Sequence, residues 1–279
     1  MQSLVKLAKF ALRHWPSAIS ALIVVSIVMT PHLLERMFVY FPIRQLDADP
    51  SLAGLPFEDV WLRTEDGLRL HGWFVPREGA RATLLVLHGN AGNIGHRVAW
   101  IEMLRGASAH VLIFDYRGFG RSEGKPFEEG LYRDARAAYG WWEAARGRSG
   151  EKLVLLGESL GGAVATELAT RAPVAGLIVQ SSFTNARDMA RTMLPLGLLQ
   201  PLAGVRFDSA ARISNLRCPK LVIHGDRDEI IPFRLGRRLF ELAAPPKEFY
   251  TVAGAGHNDL PWVGGAEYVR RIARFLDSF

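Results

Sequence analysis

The sequence predicts an α/β fold, with a mostly parallel central sheet covered by helices on both faces. From about residue 57, short apolar runs rich in branched side chains alternate with longer helix-like stretches. That order is expected when parallel strands are joined by crossover helices. Most of the apolar runs lack strict alternation of apolar and polar residues, which is typical of strands buried on both faces.

The elements can be placed in order along the chain. Val60–Arg63 and Leu68–Phe74 are separated by the turn dipeptide Asp66-Gly67 and predict an opening hairpin. The parallel strands are predicted at Ala82–Leu87, Val111–Phe114, Leu153–Leu156, Gly176–Val179, Leu221–Ile223 and Glu248–Val252. The helices are predicted at about residues 93–105, 128–147, 160–171, 234–243 and 265–278.

One connection is too long for a simple crossover and too apolar for a solvated loop. It covers about residues 184–213 and predicts a small cap over the site, although a crossover helix with a long approach is the alternative. We expect its apolar side chains to line a substrate pocket that prefers acyl groups. These candidate pocket residues are Met189, Met193, Leu196 and Leu199.

Length and composition limit the remaining possibilities. The 279 residues fit one α/β domain, placed at residues 45–279, plus a short N-terminal appendage. The net charge of +6 comes from cations scattered among acidic residues rather than from a basic run, which argues against nucleic-acid binding. The single cysteine excludes an internal disulfide. Composition leaves the oligomeric state open.

The N-terminal segment, residues 1–44, departs from the globular pattern. Residues 4–15 predict a basic amphipathic helix of the kind that lies on an anionic membrane, and the apolar run Ala18–Met29 follows. That run is short for a spanning helix. We expect an uncleaved membrane anchor, with the side of the membrane left open. A signal peptide and a helix packed on the protein itself are the alternatives.

The clearest chemical motif is Gly157-Glu158-Ser159-Leu160-Gly161, between a predicted strand and a predicted helix. In this context G-x-S-x-G forms a tight turn that lifts a nucleophilic serine above the strand ends. Ser159 is therefore the candidate nucleophile.

A serine nucleophile needs a base and an acid, which follow it in the chain in this arrangement. His257 lies in a loop after the last strand and is the candidate base, whereas His224 directly ends a strand. Both Asp226 and Asp228 follow that same strand. Asp228 lies farther into the loop and is favoured as the acid, while Asp226 is nearer the strand end and better placed to cap the turn.

The tetrahedral intermediate needs two backbone N–H donors. We expect one from Leu160 and the other from Asn90, with Ala91 as the alternative, in the loop after strand Ala82–Leu87. That loop has neither G-x-G-x-x-G spacing nor a P-loop lysine, so a nucleotide site is not indicated. No H-E-x-x-H motif or thiolate pair indicates a metal, and no cofactor is expected.

Taken together, these segments resemble the α/β-hydrolase superfamily, especially its membrane-anchored branch related to alpha/beta-hydrolase-domain depalmitoylases and to prolyl-oligopeptidase-like hydrolases. The matching segments are residues 88–93, 115–122, 157–162, 224–232 and 256–257. The second aspartate of the family's H-G-x-x-D-x-x-V/I-P pattern is its acid, which implies Asp228. The chain lacks the cysteine-rich N-terminus on which animal depalmitoylases are lipidated.

The resemblance implies a serine esterase or thioesterase acting on acyl or lipid-like substrates without a cofactor. A peptidase or amidase of the same fold and a catalytically silent binding protein remain the alternatives.

Overall fold

The central feature of the computed structural model is an eight-stranded sheet. The structure describes residues 32–147, 150–192 and 204–279. The strands are β1 Phe41–Pro42, β2 Glu58–Arg63, β3 Arg69–Val75, β4 Ala82–Leu87, β5 Ala91–Gly92, β6 Ala109–Phe114, β7 Lys152–Glu158, β8 Gly176–Gln180, β9 Lys220–Gly225 and β10 Lys247–Val252. Their order in the main sheet is β10-β9-β8-β7-β4-β6-β3-β2, and β1 pairs separately with β5.

The described helices cover both faces of this sheet. They are α1 Leu33–Phe38, α2 Val98–Arg105, α3 Glu128–Ala145, α4 Leu160–Ala169, α5 Ala186–Ala190, α6 Ser209–Ile213, α7 Phe233–Leu242 and α8 Leu260–Leu276. Two buried apolar clusters form the core, one on each side of the sheet, with α3 and α4 contributing to the first and α2 and α8 to the second. The predicted mostly parallel α/β architecture is confirmed.

The sheet topology explains where polar loops gather. Strands β4, β7, β8, β9 and β10 run parallel to their neighbours. Their carboxyl ends therefore meet at one edge, where ligands bind in open α/β sheets. β4, β8 and β9 are buried along their whole length, as the continuous apolar runs indicated.

The opening hairpin is confirmed, because β2 and β3 pair in antiparallel register. Its turn is closed by the Thr64 N–H donating to the Leu68 carbonyl at 3.0 Å. The two-residue strands β1 and β5 were not expected. Helix α8 begins at Leu260 rather than near residue 265, and its helical backbone geometry is interrupted by a kink at Gly265, where φ is 49°.

The expected N-terminal anchor lies largely outside the described residues, because residues 1–31 are not among them. Within the described ranges, no helix is both long and apolar enough to cross a bilayer. The remainder of the segment lies against the α/β domain: Tyr40 is buried in the core, and β1 pairs with β5.

The ends of the expected cap are visible as α5 and α6. Residues 193–203, between them, lie outside the described ranges. The Glu128 carboxylate at the start of α3 accepts hydrogen bonds from the N–H groups of Arg206 and Phe207, at 2.7 and 2.8 Å. One end of this connection is thus fixed to a long core helix.

Candidate active site

Ser159 occupies a sharp turn between β7 and α4. Its backbone is in a rarely populated conformation for a residue with a side chain, with φ 54° and ψ −118°. The turn requires glycine at two flanking positions: a Cβ at Gly157 would overlap the backbone of Gly161, and a Cβ at Gly161 would overlap the Leu87 carbonyl. The expected strand–turn–helix context of the motif is therefore present.

Neighbouring strands hold this turn in place. The Ser159 N–H donates to the Gln180 carbonyl at 2.9 Å, and the Ser182 hydroxyl donates to the Ser159 carbonyl at 2.7 Å. The serine is 8% exposed, so its hydroxyl is largely shielded but still accessible. A backbone fixed at both ends stabilises the strained conformation that the hydroxyl's position needs.

His257 lies beside this hydroxyl. Its Nε2 is 3.2 Å from the Ser159 Oγ, and its Nδ1 is 2.8 Å from the Asp228 Oδ2. The ring comes from the loop after β10 and is 7% exposed. A carboxylate can only accept a hydrogen bond, so Nδ1 carries the proton and Nε2 of the neutral ring can accept the serine proton.

Asp228 has hydrogen-bond partners on both carboxylate oxygens. Its Oδ1 accepts the N–H groups of Ile230 and Ile231, at 3.0 and 2.7 Å. Burial by itself would raise the pKa of Asp228, but hydrogen bonds from His224 and His257 and the charge of His257 hold that pKa well below its usual range. The carboxylate is therefore ionised at neutral pH and fixed in orientation.

The other residues weighed for these positions contact different groups. Asp226 accepts the N–H of Gly254 at 2.6 Å, so its carboxylate braces the loop that carries His257. His224 is fully buried, with Nε2 2.9 Å from the Ile231 carbonyl and 3.3 Å from the Asp228 Oδ2. Both neighbours are acceptors, so Nε2 carries the proton and helps to orient Asp228. Sequence reasoning missed this contact, although the spacing of four residues from His224 to Asp228 was visible.

The two expected oxyanion donors belong to segments that adjoin the nucleophile. Leu160 is the first residue of α4, a position whose N–H has no acceptor within its helix. Asn90 lies in the loop after β4, and a Cβ placed on its neighbour Gly89 would lie 3.5 Å from the Ser159 Cβ. The Gly89 N–H donates to the Glu158 carboxylate at 3.3 Å, which ties this loop to the turn of the nucleophile.

The expected pocket wall is only partly within the described ranges. Met189 lies in α5, where it is half-buried against the core. Met193, Leu196 and Leu199 lie outside the described residues, so their part in a pocket stays a prediction. Among the residues that the structure describes, no group of three or more His, Cys, Asp or Glu side chains is arranged to hold a metal ion.

Comparison with known proteins identifies the family to which this arrangement belongs. A family model described as "Serine aminopeptidase, S33" (Hydrolase_4) matches residues 78–210. An uncharacterised Mycobacterium tuberculosis protein is 38% identical over 263 residues, which cover 93% of each chain. The alpha/beta hydrolase domain-containing protein WAV2 of Arabidopsis thaliana is 31% identical over 271 residues, or 88% of each chain.

Two further matches extend the comparison. The lysophosphatidylserine lipase ABHD12 of Mus musculus is 38% identical over 212 residues, which cover 68% of this chain and 52% of the lipase. This chain therefore matches about half the length of that lipase. The solved structure of the Pyrococcus furiosus esterase Pf2001 is 23% identical and has a TM-score of 0.72, over 86% of this chain and 99% of the esterase chain. The chain belongs to the α/β-hydrolase superfamily.

Proposed function

We propose that this hydrolase cleaves carboxylic ester or thioester bonds through an acyl-enzyme on Ser159. The observation that carries the proposal is the continuous chain from the Ser159 hydroxyl to His257 and on to Asp228, at 3.2 and 2.8 Å. A serine hydroxyl is a weak nucleophile at neutral pH, and an adjacent neutral imidazole removes that limitation.

In the acylation step the Ser159 Oγ attacks the acyl carbon while its proton passes to the His257 Nε2. The carbonyl π electrons move onto oxygen, and the resulting oxyanion accepts hydrogen bonds from the N–H groups of Leu160 and Asn90. The intermediate then collapses, the acyl–oxygen or acyl–sulfur bond breaks, and the imidazolium returns its proton to the leaving group. Asp228 stabilises the imidazolium throughout and remains ionised.

Deacylation repeats these steps with water as the nucleophile. The His257 Nε2 takes a proton from water as the water oxygen attacks the acyl carbon, and the same two N–H groups stabilise the second oxyanion. Collapse returns the proton to the Ser159 Oγ and releases the carboxylic acid. No redox or metal-dependent step is needed.

We further propose that the substrates are acyl or lipid-like molecules. The similarity to a lysophosphatidylserine lipase supports a lipid ester, although it covers about half of that protein. The apolar composition of residues 184–213, including Met189 and Met193, supports an acyl-chain pocket. The basic amphipathic and apolar pattern of residues 1–31 supports association with a membrane, where such substrates reside.

A peptidase or amidase is the second candidate, and the description of the matching family model, "Serine aminopeptidase, S33", favours it. The same three side chains serve both reactions, because the two differ only in the leaving group. An amine leaving group must be protonated by His257 before it departs, whereas an alkoxide or thiolate leaves more readily.

The deciding experiment is a hydrolysis screen of the full chain over acyl lengths from two to sixteen carbons, with matched ester, thioester and amide leaving groups. We expect ester and thioester turnover to exceed amide turnover at every chain length. Ser159→Ala is the matched control and should remove the activity on all three series. Faster cleavage of aminoacyl amides than of acyl esters would replace this proposal with the peptidase.

A further inference from the structure

The loop that carries Asn90 is held by a segment far away in sequence. Residues 39–43, here called the N-terminal strap, run alongside residues 90–93. The Asn90 side-chain amide donates to the Val39 carbonyl, and the Phe41 N–H donates to the Asn90 carbonyl, each at 2.8 Å. Asn90 is thus held through its side chain by the residue before Tyr40 and through its backbone by the residue after Tyr40.

The strap continues this pairing beyond Asn90. The Ile43 N–H donates to the Gly92 carbonyl at 3.0 Å. The Asn93 side chain returns two hydrogen bonds to the carbonyls of Ile43 and Gln45, at 3.1 and 2.6 Å. These contacts accompany the parallel pairing of β1 with β5. Residues 90–93 of the loop beside the nucleophile are therefore held by main-chain groups of the strap and of Gln45.

The strap itself is anchored in the core. Tyr40 is 3% exposed, and its hydroxyl donates to the buried Glu35 carboxylate at 2.5 Å. That carboxylate also accepts the Glu128 N–H at the start of α3. In contrast, Phe41 and Ile43 point outward and are 52% and 44% exposed. Burial of Tyr40 fixes the position of the strap, so the main-chain groups on either side of it meet Asn90 in a defined register.

Control of the Asn90 peptide groups matters because a trans peptide is planar, so fixing its carbonyl also fixes its N–H. The carbonyl of the Gly89–Asn90 peptide accepts a hydrogen bond from the His88 Nδ1 at 2.8 Å. The next peptide is fixed through the Asn90 carbonyl by the strap. The Asn90 N–H belongs to the peptide that His88 fixes, whereas the strap fixes the following peptide and the Asn90 side chain. With the peptides on both sides of its Cα held, Asn90 and the N–H it carries are kept in one place beside the nucleophile.

We infer that the N-terminal strap is a positioning element of the active site, which holds the Asn90 N–H where an oxyanion forms. The inference rests on the proposed function, since it assigns a purpose to the loop only if Ser159 forms a tetrahedral intermediate. If the inference holds, the strap is needed for full catalytic activity, although every proposed reacting group lies beyond residue 87. Val39 and Phe41 act only through Asn90.

The test compares three variants of the full chain. Asn90→Ala keeps the backbone N–H but removes the side-chain amide that donates to the Val39 carbonyl. Phe41→Pro removes the donor to the Asn90 carbonyl and leaves the Asn90 side chain intact. Gln45→Ala is the matched control: it removes a carboxamide from the same stretch of chain, but Asn93 contacts only the Gln45 backbone carbonyl.

Two readouts separate positioning from general stability. The first is kcat and KM on p-nitrophenyl butyrate. The second is inhibition by an alkyl trifluoromethyl ketone, to whose carbonyl carbon the Ser159 Oγ adds, giving an oxyanion while the proton moves to His257. We expect Asn90→Ala and Phe41→Pro to lower kcat by about tenfold to a hundredfold, with KM changed by no more than about twofold. Trifluoromethyl ketone affinity should weaken by a similar factor.

The control should stay within about twofold of wild type on every measure. If both variants match Gln45→Ala in kcat and inhibitor affinity, or lose melting temperature without weakening the inhibitor, the positioning role is wrong. Phe41→Pro decides the question if Asn90→Ala does not fold. If wild type neither hydrolyses the ester nor binds the ketone, the proposed function fails and this inference fails with it.

Discussion

Two aspartates leave the carboxyl end of β9 within three residues, but they serve different partners. Asp228 contacts the base His257 at 2.8 Å, whereas Asp226 accepts a backbone N–H from Gly254 at 2.6 Å. We predict that Asp228→Asn lowers kcat on an activated ester by about 10⁴-fold, because the amide favours the wrong imidazole tautomer. Asp226→Asn should cost less than about tenfold. Steady-state kinetics on the two purified variants measures this, and the reverse order would assign the acid to Asp226.

The ionisation of Asp228 also gives a prediction about pH and stability. The pKa of Asp228 in the folded protein is lowered, so its ionised form stabilises the fold above the unfolded value of about 3.9. This contribution is lost as pH falls through the folded value. We expect the melting temperature of wild type relative to Asp228→Asn to be constant above about pH 5 and to fall as pH drops below about 4. A constant or widening difference on acidification would contradict it.

At the residue level, the sequence was informative where a motif fixes the local backbone. The G-x-S-x-G turn located Ser159, and the order of the chain then left two later histidines, of which one lies in a loop. Contacts that join distant segments carried no such signal. The hydrogen bonds of Val39 and Phe41 with Asn90 join residues about fifty positions apart in the chain. They use mainly backbone atoms, so the types of side chain in these segments do not reveal them.

At the scale of elements, the connection between β8 and β9 bears on substrate choice. Its return segment is held by Glu128, which accepts the N–H groups of Arg206 and Phe207, while the Ala186 N–H donates to the Arg206 carbonyl. Both described ends are therefore fixed close to the sheet edge that carries the site. An apolar segment between fixed ends is suited to contact an acyl chain.

We predict that Leu199→Asp lowers kcat/KM on a p-nitrophenyl decanoate more than on the acetate, since a buried charge in an acyl pocket penalises the longer chain. About a tenfold difference between the two losses is expected. Leu52→Asp is the control, because Leu52 is 74% exposed in a separate helical turn. Equal losses on both esters would mean that the segment is structural.

The hydrophobic pattern of the sequence predicted the strands and helices that are long enough to show such a pattern. The buried strands β4, β8 and β9 are continuous apolar runs, and the structure confirms them. β1 and β5 are two residues long, too short for any periodicity, so only the pairing itself reveals them. The predicted closing helix from about residue 265 corresponds to the second of two helical segments in α8, which meet at the non-helical Gly265; the short first segment from Leu260 was not predicted.

At the scale of the whole molecule, the N-terminal segment divides into residues 1–31, which lie outside the described ranges, and the strap, which contacts the loop that carries Asn90. We predict that deleting residues 2–31, which leaves the strap in place, abolishes binding to vesicles of phosphatidylcholine and phosphatidylglycerol. Each apolar side chain inserted into lipid contributes roughly 1.5 to 3 kcal/mol, so even part of the segment would hold the protein there.

The same deletion should keep the rate on a water-soluble ester within about twofold, because the strap is retained and every proposed reacting group lies beyond residue 87. Vesicle sedimentation and p-nitrophenyl butyrate kinetics give the two measurements. Full-length protein that is released from membranes by alkaline carbonate would show that residues 1–31 are not an inserted anchor. Loss of soluble-ester activity would show that they belong to the folded domain.

The central claim is that Ser159 is a nucleophile activated by His257, and fluorophosphonate labelling followed by peptide mass spectrometry tests it most directly. The probe reacts when a serine oxygen attacks phosphorus and fluoride leaves, so it reports the nucleophile itself rather than a substrate preference. We predict one probe per chain on Ser159 in wild type, none on Ser159→Ala, and labelling slowed by at least about 10³-fold in His257→Ala. Wild-type protein that is unlabelled, or labelled on a residue other than Ser159, would contradict the account.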